Sequence, residues 1–238
     1  MSSTINRLLR AAGLAGLLVL TGCASRPGAD PRDPLEPFNR SLYQFNVDVD
    51  RVLLKPVAST YVEVAPVPLR TGVNNFFGNL RDAWSAVNGV LQLRPREAVE
   101  NGMRFGINST FGLVGLLDVA SEMGLERTTL DFGMTLGRWG VPDGPYLMLP
   151  LLGPSTLRDT AALPVDGQGN AIGQIGHVPT RNELTALRIV DQRAGLLRAG
   201  DMLQEAALDP YSFLRDSYLQ RRHSQIGVTP PEERYDLE

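Results

Sequence analysis

Phe38, Leu42, Phe45, Val49 and Leu53 recur at steps of four, three, four and four, which puts them on one stripe of a helix. Asp33-Pro34 predicts the start of that helix, with the acid at the N-cap and the proline in the first turn. Lys55-Pro56 predicts its end or a kink, and Ala65-Pro66-Val67-Pro68 a second break. Residues 69–93 then read as a broadly apolar helix containing Phe76, Phe77, Leu80, Trp84, Val87 and Leu91, and Pro95 opens another. Charges thin out after Arg104. Residues 105–117 (FGINSTFGLVGLL) carry none, and thirteen residues are too few to span a bilayer, which takes about 20. The expectation there is a buried core helix, its glycines leaving room for close packing or for a lipid chain.

Residues 131–154 are the least helical part, with five glycines and four prolines. Within them residues 146–152 (YLMLPLL) are apolar, and read either as a buried loop or as a hairpin whose tip touches lipid. Ser155-Thr156 starts a short helix, Ser155 reading as a cap and Asp159 standing at capping-box spacing from Thr156. A Gly-rich apolar loop is expected over 165–179, then helices over 182–197 and 201–222 with a break at Asp209-Pro210. No segment alternates apolar and polar positions for long enough to demand a sheet. The expectation is an all-α single domain with an irregular Gly/Pro-rich insert.

The N-terminus speaks to destination. Residues 1–10 hold Arg7 and Arg10 and no acid, and residues 11–20 (AAGLAGLLVL) have the length of a signal-peptide core, not of a membrane span. Leu20-Thr21-Gly22-Cys23 follows, and resembles the bacterial lipobox, in which the Cys sulfur accepts diacylglycerol. Cys23 is the one cysteine of the chain. A chance cysteine beside an ordinary cleavage site is the plainer alternative. With lipidation, residues 1–22 are the signal peptide, 23–32 a lipidated tether, 33–222 the helical domain and 223–238 a polar, disordered tail. Losing the two signal arginines moves the formal charge from −3 to −5. The N-acyl diacylglycerol on Cys23 is the expected covalent group, and no other cofactor is expected. Three acyl chains exceed the two signals that stable anchoring needs. Ala24, where an Asp would retain a lipoprotein at the inner membrane, points to the outer one by resemblance to enterobacterial sorting.

A mildly acidic chain with pI near 5.5 is a poor nucleic-acid binder, and none is expected as a partner. One cysteine excludes a disulfide framework. His177 and His223 stand in no metal-ligand spacing, so no metal is expected. No G-x-S-x-G, P-loop or G-x-G-x-x-G is present. Nothing here points to an enzyme.

A series of motifs runs in order along the chain: residues 33–40 (DPLEPFNR), Phe45-Asn46, 72–80 (GVNNFFGNL), and Arg104-Phe105 with Asn108, Gly112 and 118–120 (DVA). Further along come 131–141 (DFGMTLGRWGV), Gly144-Pro145-Tyr146, Leu149-Pro150, 153–159 (GPSTLRD), 209–211 (DPY) and 218–222 (YLQRR). With these the chain resembles the MlaA (VacJ) family of outer-membrane lipoproteins. Trp84 departs from the resemblance, standing where many members have proline, and so bears on a local helix kink. The resemblance implies an all-helical, ring-shaped protein in the inner leaflet of the outer membrane, on its periplasmic side. It implies removal of misplaced glycerophospholipids through an amphipathic channel to a soluble periplasmic carrier, MlaC, and association with a trimeric porin. Phe38, Asn39, Phe45, Asn46, Tyr146 and Leu149 are candidates for contact with lipid. Arg138 and Arg158 are candidates for the lipid phosphate, or else structural ion-pairing residues. A porin-bound scaffold without transport and a phospholipase are the rival classes.

Overall fold

The structure is a computed structural model that describes residues 30–227, with backbone only at 203–206. The signal peptide, Cys23 and most of the expected tether and tail lie outside the described residues. Helix α1 (Glu36–Val49) carries the Phe38 stripe and has Pro37 in its first turn. It does not start at Asp33: that carboxylate is fully buried, and Leu35 is the N-cap. Nor does the chain break at Lys55-Pro56. A π-helical turn, Asp50–Leu54, leads directly into α2 (Lys55–Val64), and the missing N–H of Pro56 falls at this π-to-α junction, where the regular bonding ladder already shifts. The predicted break at Pro66 is present before α3 (Val67–Leu91), and Pro95 opens α4 (Pro95–Thr110). Trp84 sits within α3 and donates its indole N–H to Asp166 Oδ1 at 2.8 Å.

The uncharged stretch departs from expectation. Its first half ends α4, and residues 111–117 then fold into an exposed knuckle, not a buried helix. Phe111, Leu113 and Val114 are each about two-thirds exposed or more. Leu113 and Val114 both have positive φ, strained for a β-branched residue. Gly112 makes the fold possible: a Cβ there would lie 2.2 Å from the Leu117 carbonyl oxygen. A short helix α5 (Val119–Glu122) follows, capped by Asp118.

The Gly/Pro-rich insert is more regular than its composition predicts. It holds α6 (Phe132–Arg138), capped by Asp131, and a two-stranded antiparallel hairpin, β1 (Tyr146–Leu149) with β2 (Gly153–Thr156), where no sheet was expected. Leu149 pairs with Gly153 across the loop, and Leu151 and Leu152 are exposed at the tip. Helix α7 (Leu157–Gln168) starts where the sequence placed it, with Thr156 as its cap in place of Ser155: the Asp159 amide donates to Thr156 Oγ1. The expected 165–179 loop is largely absorbed by α7 and a 3₁₀ turn, Ala171–Gln174. Helices α8 (Val178–Gly195), α9 (Leu197–Ala206) and α10 (Pro210–Ile226) complete the chain. The last runs past residue 222, so 223–226 belong to the domain, with Ile226 buried. At the other end Arg32 accepts a bond from the Tyr146 amide, so the fold begins inside the expected tether.

Packing closes a circuit, which is the expected ring. Helix α1 meets β1, β2 meets α10, α10 meets α6, α6 meets α7, and α7 reaches α8 through the 3₁₀ turn. Helix α8 packs on α2, which returns to α1 through the π turn, while α3 and α4 pair closely and α3 leans on α8.

Candidate functional site

More polar and charged residues than apolar ones are buried among the described residues. Buried apolar clusters are small: Tyr146, Met148, Tyr211 and Leu219 in one, Leu130, Met134 and Ile226 in another. The large aliphatic and aromatic side chains instead face outward along α1, α2, α3 and the knuckle. A water-soluble fold buries apolar groups and exposes polar ones, so buried polarity and outward apolar surface are the informative signs here. No helix among the described residues is long and apolar enough to cross a membrane.

The polar interior is tightly paired. Arg104, fully buried, donates to Asp82 and bidentately to Asp118, at 2.7 and 2.8 Å, while Arg127 holds the other side of Asp82. Burial opposes ionisation of Asp118, but hydrogen bonds from Asn108, Ser121 and Arg104 outweigh it and hold the carboxyl at about 2. A second cluster joins three of the sequence motifs. Arg222 forks onto Asp131 at 2.6 and 2.9 Å and reaches Asp159 at 2.8 Å, where Tyr218 and Arg158 also bond. Arg158 pairs with Asp143 as well, and Asp143 meets His223. Gly133 leaves the space for this cluster: a Cβ there would lie 2.6 Å from Asp159 Oδ1.

The sequence-predicted residues fall into three groups. Phe38 and Phe45 are exposed on α1, as the lipid-facing stripe requires geometrically. Asn39, Asn46 and Tyr146 serve the fold. The Asn39 carboxamide donates to Asp33 and the Tyr146 carbonyl and accepts from the Met148 amide. Asn46 does the same for the Leu149 carbonyl and the Leu151 amide. Tyr146 is buried under Tyr211 and Tyr218, and burial pushes its hydroxyl pKa up. Leu149 is half-buried, beneath an exposed tip. The arginines form the third group. Arg158 is buried and neutralised by Asp143 and Asp159, so the ion-pairing alternative describes it. Arg138 is exposed and donates to the Ile226 carbonyl.

The hairpin stands between two mostly apolar cavities. One, about 460 Å³, lies between α3, α7 and α8 and includes Leu152 of the tip. The other, about 360 Å³, lies between α1, Met148 of the hairpin, and α8 to α10. The first also contains Arg81 and Arg188, which the sequence reading missed. Isolated arginines on helix faces give no spacing signal, and only the tertiary packing of α3 on α8 brings them together.

Fold and site together define a helical protein with a paired polar interior, apolar side chains turned outward and apolar cavities flanking a hairpin. The family model described as MlaA lipoprotein matches residues 31–225. The chain is 38% identical over 221 residues to the Intermembrane phospholipid transport system lipoprotein MlaA of Escherichia coli (strain K12), covering 90% of this chain and 87% of that one. It is 33% identical over 223 residues to the protein of the same description in Haemophilus influenzae, covering 90% and 88%. A solved structure from work on the structural basis for maintenance of bacterial outer membrane lipid asymmetry matches with a TM-score of 0.72 at 35% identity, covering 82% of this chain and 98% of that one. The chain belongs to the MlaA lipoprotein family.

Proposed function

We propose that this protein transports phospholipid between membranes, removing glycerophospholipids misplaced in the outer leaflet of the outer membrane and so preserving the asymmetry of that membrane. The observation that carries the reading is the inverted polarity. Phe38 and Phe45 on α1 and the knuckle at 111–117 offer acyl chains an apolar surface, while the buried arginines keep their charges paired. The relatives from Escherichia coli and Haemophilus influenzae are described as lipoproteins of an intermembrane phospholipid transport system, which supports the transport part of this reading.

In this reading Cys23 bears the N-acyl diacylglycerol that holds the mature chain at the outer membrane, on its periplasmic face. The helices lie along the leaflet. Lipid passes beside the hairpin, where Phe38, Phe45 and Leu149 meet acyl chains, and goes to the periplasmic carrier MlaC, with a trimeric porin as the neighbour in the membrane. No enzyme chemistry is involved, since the lipid is moved and no bond is broken.

The test is the phospholipid content of the outer leaflet in a deletion strain, with and without the gene restored. A rise on deletion that complementation reverses supports transport. Unchanged lipid with altered porin levels would instead identify a scaffold, and fatty-acid release by the purified protein a phospholipase.

A further inference from the structure

The cavity between α3, α7 and α8 has an uneven wall. Phe77, Leu80, Trp84 and Leu163 make it apolar, and two guanidinium groups interrupt it. The four arginines buried among the described residues, Arg104, Arg158, Arg215 and Arg222, each meet a carboxylate. Arg81 and Arg188 do not: among the described residues neither has an acidic partner within 4 Å, and the single side-chain bond between them is from Arg188 Nη1 to Asn170 Oδ1, at 3.0 Å. The acid beside Arg81 in sequence, Asp82, is already occupied by Arg104 and Arg127. Asp166, the carboxylate in the cavity wall, has one oxygen taken by the Trp84 indole and the Phe132 amide. Burial lowers the Arg81 pKa from its usual value, and the like charges of Arg127 and Arg188 add to the shift. Two guanidinium groups on one mostly apolar wall, neither ion-paired, can converge on an anion.

We propose that Arg81 and Arg188 bind the phosphodiester of a glycerophospholipid at the edge of this cavity, with the upper part of an acyl chain lying against Phe77, Leu80, Trp84 and Leu163. The assignment rests on the transport reading for the supply of lipid. It moves the phosphate contact away from Arg138 and Arg158. Arg81 is exposed enough to be reached from outside, while Arg188 is half-buried, so the headgroup enters first against Arg81 and settles between the two. A cavity of this volume falls in the range of ordinary ligand sites.

The experiment uses the mature full-length lipoprotein purified in a nonionic detergent, with a fluorescent phosphatidylglycerol as the probe and sn-glycerol-3-phosphate as a chain-free competitor. The double variant Arg81→Gln/Arg188→Gln is expected to bind the lipid at least about tenfold more weakly, since charge-assisted bonds to phosphate are the strong ones. Arg81→Lys/Arg188→Lys is expected to recover most of the affinity, and Arg198→Gln, at an exposed position on α9, to change nothing. Unfolding curves identify any variant that fails to fold, and the lysine pair then carries the comparison. Wild-type affinity in a folded glutamine pair would overturn the site and leave the transport reading standing. Competition by sn-glycerol-3-phosphate as strong as by lipid would overturn the lipid assignment in favour of a free phosphate ester. Absence of lipid binding by the wild-type protein would overturn both.

Discussion

Asn39 and Asn46 stand two helical turns apart on one face of α1, and each uses its carboxamide as a stand-in peptide group along the hairpin. Asn39 spans the Tyr146 carbonyl at 3.0 Å and the Met148 amide at 2.9 Å. Asn46 spans the Leu149 carbonyl at 2.9 Å and the Leu151 amide at 2.7 Å. The free edge of β1 is thereby covered by a helix, which satisfies its backbone groups and keeps it from pairing elsewhere. The hairpin between the two cavities is thus bolted to the lipid-facing helix.

Replacing Asn39 by Ala strands a buried backbone donor and acceptor. The expected cost is about 1–3 kcal/mol for the groups left unpaired, read as a lower denaturation midpoint. Faster hydrogen exchange is expected at the Met148 amide, with α4 unaffected. Asn46→Ala is expected to act more weakly, at the Leu151 amide, because water reaches the exposed tip. Unchanged exchange at both amides would refute the clamp.

Asp118 supplies a pH-dependent part of the stability. Against the opposing effect of burial, hydrogen bonds from Asn108, Ser121 and Arg104 hold its carboxyl at about 2 in the fold, below its ordinary value of 3.8. A depressed carboxylate stabilises the fold above its unfolded pKa and loses that contribution as pH falls through the folded one. Asp118→Asn is therefore expected to lower stability at neutral pH by about 2 kcal/mol. The gap to wild type should close between about pH 4 and pH 2, as followed by denaturation at a series of pH values. A constant gap across that window would exclude ionisation of Asp118 as the cause.

Gly112→Ala meets the Leu117 carbonyl oxygen at 2.2 Å and the Asn108 carbonyl oxygen at 2.6 Å, both backbone atoms that cannot swing aside. Opening the knuckle is expected to cost at least about 2 kcal/mol. Gly106→Ala, where nothing lies within 4 Å, is the matched control. It should be neutral or slightly stabilising in the same melt.

Val114 separates fold from membrane contact. Its positive φ, at 60°, is costly for a β-branched residue, by about 1–2 kcal/mol. Val114→Gly should therefore unfold at higher denaturant concentration while binding phospholipid vesicles less well. Loss of both stability and vesicle binding would return the knuckle to a purely structural role.

What the chain order alone determined is local. Proline positions mark the starts of α3, α4 and α10, because a missing N–H is best tolerated in the first turn. The helix start at Ser155-Thr156 and the break at Asp209-Pro210 were legible too, although Thr156 and not Ser155 is the cap, and Asp209 caps the helix after the break. The stripe of α1 and the family motifs were equally legible, and gave the helical class. Which groups those motifs touch was not. Asp33 looked like a cap, yet it accepts from Asn39, Tyr211 and Arg215, the last two more than 170 positions away. Residues 105–117 looked like core because uncharged segments usually are; whether an apolar face turns inward depends on what the neighbouring helices bring to it. Here they bring arginines and carboxylates that can be buried only in pairs, which fills the interior and leaves the apolar side chains outside. The partners of those pairs come from distant elements, so only the tertiary structure decides where each charge ends, and that Arg81 and Arg188 share one cavity wall with no carboxylate within 4 Å among the described residues.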